Sequence, residues 1–137
     1  MTAKPYQRVY LADYQPPAFM VEHVELSFEI DTESCRVASR LLLRRNDNCP
    51  RANAPLELDG NGLELESISL DGAALESSDY RVGAERLVIE DVADKFVLEI
   101  MNRIQPAENH SGLGMFVAGG VVATQCEAQG FRRLTWF

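Results

Sequence analysis

The chain is short of cysteine, histidine and positive charge, and each shortage closes off a class of function. Cys35, Cys49 and Cys126 are the only three cysteines in 137 residues. An odd, sparse set does not make a disulfide framework and reads as reduced thiols in a cytoplasmic protein. Lysine and arginine number 13 against 21 acids, a net charge of −8. Phosphate backbones are therefore repelled, and nucleic acid is not expected as a partner. No apolar run approaches the roughly 18 residues of a membrane span. The opening Met-Thr-Ala-Lys-Pro-Tyr-Gln-Arg has no apolar core region, so neither a signal peptide nor a membrane partner is expected.

Catalytic signatures are also missing. His23 and His110 are the only two histidines and belong to no His-Glu-x-x-His pattern, whereas a catalytic zinc needs about three protein ligands. There is no Gly-x-Ser-x-Gly elbow. Cys126 paired with His110 would lack a local activating pattern. No catalytic residue and no metal ligand is expected in this chain.

What is present is period-two alternation. The apolar fraction of 46% suffices for one core. The prolines of Tyr14-Gln15-Pro16-Pro17 forbid a regular helix, so residues 1–20 read as an extended arm that packs its aromatics on a β domain over 21–137. Val24, Leu26, Phe28 and Ile30 alternate with His23, Glu25, Ser27 and Glu29, which predicts a strand over 21–30. A second strand over Cys35–Arg45 puts Val37, Leu41 and Leu43 inward and Arg36, Arg40 and Arg44 outward, completing a hairpin. Leu63, Leu65, Ile68 and Leu70 break parity, and a bulge at Glu66-Ser67 would restore one face. Asp71-Gly72 is a two-residue hairpin signal. Short strands follow near Pro55–Leu58, Tyr80–Val82, Leu87–Ile89 and Phe96–Ile100, and residues 106–120 read as a glycine-rich loop. The expectation is an all-β fold, an antiparallel sandwich or open twisted sheet with no substantial helix.

The segment Thr124-Gln-Cys-Glu-Ala-Gln-Gly-Phe-Arg132 follows a Gly119-Gly120 turn signal. If it is extended, Gln125 and Glu127 point the same way. A carboxylate beside an amide can hold a cation that also carries a hydrogen-bonding group. The same spacing also suits a solvated strand face.

Residues 124–137, Thr-Gln-Cys-Glu-Ala-Gln-Gly-Phe-Arg-Arg-Leu-Thr-Trp-Phe, resemble the Thr-Gln-Cys-Glu-Ala-Glu-Gly-Phe-Arg segment of M1-family zinc aminopeptidases, in the bacterial aminopeptidase N branch. Asp13-Tyr14-Gln15-Pro16-Pro17, Leu63-Glu64-Leu65-Glu66-Ser67-Ile68 and Ile104-Gln105-Pro106-Ala107-Glu108-Asn109 agree in order. The resemblance covers nearly all of the chain and implies an N-terminal domain truncated before the catalytic zinc domain. On that reading the isolated chain is inactive, and it holds no cofactor, while the parent enzyme carries zinc. The resemblance further implies that Glu127 binds the α-amino group of a peptide N-terminus and that Gln125 hydrogen-bonds the first residue. The implied partners are that peptide terminus and the catalytic domain of the same polypeptide. Self-association is expected if the last strand lacks its own partner. Leu113 and Phe116 stand where the family carries glutamate and tyrosine. The alternative reading is a free-standing β-sandwich interaction module without a catalytic role.

Overall fold

The computed structural model describes residue 8, residues 10–51 and residues 53–137. The alternation yields ten strands: β1 (Phe19–Glu29), β2 (Cys35–Arg45), β3 (Leu56–Asp59), β4 (Glu64–Leu70), β5 (Ala73–Ala74), β6 (Tyr80–Val82), β7 (Arg86–Ile89), β8 (Lys95–Ile104), β9 (Gly114–Ala118) and β10 (Val121–Gln125). Only single 3-10 turns interrupt them among the described residues, at Leu11–Asp13, Pro106–Glu108 and Gly130–Arg133. Pairing is antiparallel in three sheets, β1-β2-β8-β4-β5, β3-β7-β6 and β9-β10. The fold is all-β, as the strand spacing predicts.

The register of β2 on β8 explains the core. Leu43 opposes Phe96, Leu41 opposes Leu98, Ser39 opposes Ile100, Val37 opposes Asn102 and Cys35 opposes Ile104. Opposed residues share a face, so both strands turn their buried rows the same way while Arg36 and Arg40 stay outside. The main core joins Leu41, Leu43, Phe96, Leu98 and Ile100 to Leu56, Leu58, Leu87 and Ile89 of the three-stranded sheet. A smaller cluster joins Cys35, Val37 and Ile104 to Met115 and Leu134. Between the two clusters lies a belt of buried polar side chains, Ser39, Asn102 and Thr135.

The end of the chain crosses this interior. Leu134 enters the small cluster, Thr135 the belt and Trp136 the main core. Asn102 Nδ2 donates to the Leu134 carbonyl at 2.9 Å, and Thr135 Oγ1 donates to Ser39 Oγ at 3.3 Å. Phe137 and Asp59 exchange backbone hydrogen bonds, each 3.0 Å. Gly60 makes room for the indole, since a Cβ there would lie 2.4 Å from Trp136 Cδ1.

Local signals hold where they were strong. The β4 register shifts between Leu65 and Ser67, at the expected bulge. Asp71 (φ 49°) and Gly72 (φ 81°) form the two-residue turn between β4 and β5. Three details differ. Part of the expected arm, residues 1–7 and 9, lies outside the described residues; Phe19 and Met20 already belong to β1, and Tyr10 and Tyr14 are exposed rather than packed. Val24 is exposed because β1 is a sheet edge, and Ile30 because the strand ends before it at Glu29. The loop expected over 106–120 contains β9, whose pairing with β10 depends on residues downstream of it.

Two predictions follow from the packing and its ion pairs. Trp136→Ala empties the centre of the main core and should lower unfolding stability by about 3–5 kcal/mol in denaturant titration. Partial burial pushes the Glu66 carboxyl up, but hydrogen bonds from Arg36 (2.8 Å) and Arg103 outweigh it and leave the group below its usual range. Lys95 and then Arg44 hold Glu22 down likewise. Carboxyls depressed by folding add stability above their unfolded value of about 4.3 and lose it as pH falls through the folded value. Melting temperature should therefore drop on acidification below about pH 4.3, and less steeply in Glu66→Gln.

Candidate functional site

The site is built on the β9-β10 hairpin. Gly119 and Gly120, with φ of 57° and 79°, make its turn between Ala118 and Val121. Such positive φ values are open to glycine without a steric penalty. Strand β10 ends at Gln125, opposite Gly114. Glu127 therefore does not continue the strand, as an extended segment would require; it lies in the turn that follows. The two residues are nevertheless joined. The Glu127 backbone N–H donates to Gln125 Oε1 at 3.0 Å. That contact uses the side-chain oxygen and leaves the Gln125 amide NH₂ as an outward donor. Both residues are exposed. Among the described residues the Glu127 carboxylate has no ion pair or side-chain hydrogen bond. The Glu127–Ala128 peptide is cis.

Close glycine contacts hold this turn. The Gly130 N–H donates to the Cys126 carbonyl at 2.8 Å, closing the loop. A Cβ on Gly130 would lie 2.3 Å from the Gln125 carbonyl oxygen and 3.0 Å from the Gly114 nitrogen. Gly114 adopts φ 78°, and a Cβ there would lie 2.6 Å from Arg133 Cβ. Backbone-to-backbone approach, rather than an unusual bend, is the reason for glycine at position 130. Cys126 is half-buried and packs against the small apolar cluster.

The loop before β9 is tied by Asn109, whose Nδ2 donates to the carbonyls of Leu113 (2.7 Å) and Met115 (2.8 Å). Met115 is buried and Phe116 half-buried opposite Ala123. Beside them is a cleft of about 360 Å³ lined by Asn61, Asn109, His110, Ser111, Met115 and Arg133, among others. Neither Gln125 nor Glu127 lines that cleft. Arg132 and Arg133 are half-buried and make no ion pair among the described residues. Asn109, Gly114 and Arg133 escape a reading of spacing, because their roles come from contacts across the hairpin.

No group of three or more His, Cys, Asp or Glu that could hold a metal occurs among the described residues. No helix among them is long and apolar enough to cross a membrane. The chain's own chemistry at this site is therefore an open carboxylate and an amide donor.

No family model matches the chain. It is 42% identical over 131 residues to aminopeptidase N of Caulobacter vibrioides, covering 96% of this chain and 15% of that protein. Legionella pneumophila aminopeptidase A, solved with aspartic acid, superimposes with a TM-score of 0.82 at 25% identity, over 92% of this chain and 15% of that one. An M1 zinc metallopeptidase from Deinococcus radiodurans, solved with Tyr-Ser-Ala, shares the fold at a TM-score of 0.66 and 14% identity, over 89% of this chain and 29% of that one. The chain thus spans about 15% of the length of the curated relative. Over nearly its whole length, the chain is homologous to the N-terminal part of M1-family aminopeptidases of the aminopeptidase N type.

Proposed function

We propose that the full-length protein is a cytoplasmic, zinc-dependent aminopeptidase acting on peptides, and that this chain supplies recognition of the free N-terminus. In this reading Glu127 binds the substrate's α-ammonium and Gln125 donates a hydrogen bond to the first residue. The zinc and the bond-breaking groups belong to a catalytic domain elsewhere in the polypeptide, and the isolated chain is inactive. The observation that carries the reading is an exposed Glu127 carboxylate with no cation of its own among the described residues, on a turn pinned to Gln125.

The physics favours a carboxylate for this task. An aminopeptidase must tell a chain end from an internal peptide, and the end is an ammonium. At about 4 Å the pair gains roughly 4 kcal/mol at an effective dielectric of about 20. Desolvation offsets part of that gain. The remainder fixes where the scissile carbonyl sits, which is catalysis by orientation. Glu127 stands open to solvent, so a neighbouring domain can cover it and strengthen the attraction by excluding water. Arg132 and Arg133, half-buried on the adjoining turn, suit acidic groups of that same domain.

In the full-length gene product, Glu127→Gln should lower kcat/KM on aminoacyl amides about 10- to 100-fold, the worth of a charge-assisted hydrogen bond. The loss should fall mainly on KM, and a chelator should abolish the activity of the unaltered protein. Unchanged kcat/KM in the variant refutes the role of Glu127.

Self-association is a further proposal. The chain end already pairs with Asp59, whereas β1 is an eleven-residue edge strand that exposes Met20, Val21 and Val24. Its Glu22, Glu25 and Glu29 are paired with Lys95 and Arg44, Arg40 and Arg36 within the sheet, but the net charge of −8 repels a second copy. Association through β1 should therefore strengthen with added salt. Light scattering from 0.02 to about 0.5 M salt, a range that cuts the screening length several-fold, tests this; a monomer throughout contradicts it.

A further inference from the structure

Asn102 sits on β8 with no solvent exposure, an amide between two apolar clusters. Its Nδ2 donates to the Leu134 carbonyl at 2.9 Å, while its Oδ1 has no partner among the described residues. A buried amide with one orphaned atom costs stability relative to an apolar side chain of similar volume. Stability therefore does not call for an amide here. What the amide does supply is register. Leu134, Thr135 and Trp136 enter small cluster, belt and main core in that order. Sliding the tail by one residue would carry Thr135 out of the polar belt into an apolar cluster and bring Leu134 or Trp136 into the belt. The bond to the Leu134 carbonyl opposes that slide, and Thr135 Oγ1 on Ser39 Oγ is its second link.

The register reaches the substrate loop through stiff connections. The Leu134 N–H donates to the Phe131 carbonyl at 2.8 Å, which makes Gly130–Arg133 a closed 3-10 turn. The Arg132 carbonyl accepts from the Asn61 N–H at 2.8 Å, holding the turn from its other side. Gly130 at the head of the turn touches the Gln125 carbonyl and bonds the Cys126 carbonyl. Arg133 packs on Gly114, the strand partner of Gln125. These contacts allow little adjustment, so a shifted tail moves the loop.

We propose that Asn102 is a positioning residue for substrate recognition: its buried amide sets the tail register that places Gln125 and Glu127. The proposal rests on the amine-anchoring reading above.

The test uses Asn102→Leu in the full-length gene product, held at a temperature where circular dichroism shows it folded. Hydrogen exchange read by mass spectrometry should quicken in peptides covering Gln125–Gly130 and stay unchanged over β1 and β7. KM for an aminoacyl amide should rise about ten-fold with kcat within about two-fold. Unchanged exchange at Gln125–Gly130 in folded Asn102→Leu overturns the positioning role. Quickened exchange with unchanged KM keeps the coupling but overturns the amine-anchoring reading, and Glu127→Gln measured alongside identifies that case independently. If Asn102→Leu does not fold, Thr135→Val, near-isosteric and lacking the bond to Ser39, carries the same readouts with the same deciding outcomes.

Discussion

The tail from Gly130 to Phe137 passes through the interior of the domain, and most of the architecture depends on that passage. Trp136 fills the centre of the main core and Leu134 helps to close the small cluster. Without them the main sheet and the three-stranded sheet would face each other across a gap. A domain of this size buries a limited share of its surface, so one buried indole is a large part of its apolar content. The polar belt of Ser39, Asn102 and Thr135 makes the tail's placement specific rather than merely favourable.

The same passage links packing to the proposed recognition role. The chain leaves the β9-β10 hairpin, forms the turn that carries Glu127, and is captured by the core within ten residues. The turn is thus suspended between two fixed ends. Glycines at 114 and 130 bring its backbone against the hairpin, and the Glu127 N–H to Gln125 Oε1 bond ties the Gln125 side chain to the turn backbone. The turn fixes the point from which the Glu127 side chain projects, while its carboxylate, unbonded among the described residues, stays open to a cation. Fixing that point is the part of orientation the fold supplies.

Much of the fold was legible because its signals are local. Arg36, Arg40 and Arg44 alternating with Val37, Leu41 and Leu43 specify β2 without reference to anything else. Asp71-Gly72 and the parity break after Leu65 do the same for a turn and a bulge. Exposure of Val24 was not legible, since edge position is a property of the whole sheet. Strand β9 was hidden because Gly112 and Gly114 read as loop residues, and only pairing with β10 makes Met115-Phe116-Val117 a strand. Glu127 is a separate case. Its spacing equals that of a solvated strand face, and resemblance rather than periodicity singled it out. The strand then stopped at Gln125, so the two residues are related by a backbone-to-side-chain hydrogen bond instead of by parity.

A crystal structure of the full-length gene product with a bound aminoacyl amide addresses the proposed role of this domain most directly. The ligand's ammonium should lie about 3 Å from a Glu127 carboxylate oxygen, with Gln125 beside it and Trp136 still buried in the core. An ammonium held by other side chains, with Glu127 facing solvent, would contradict it.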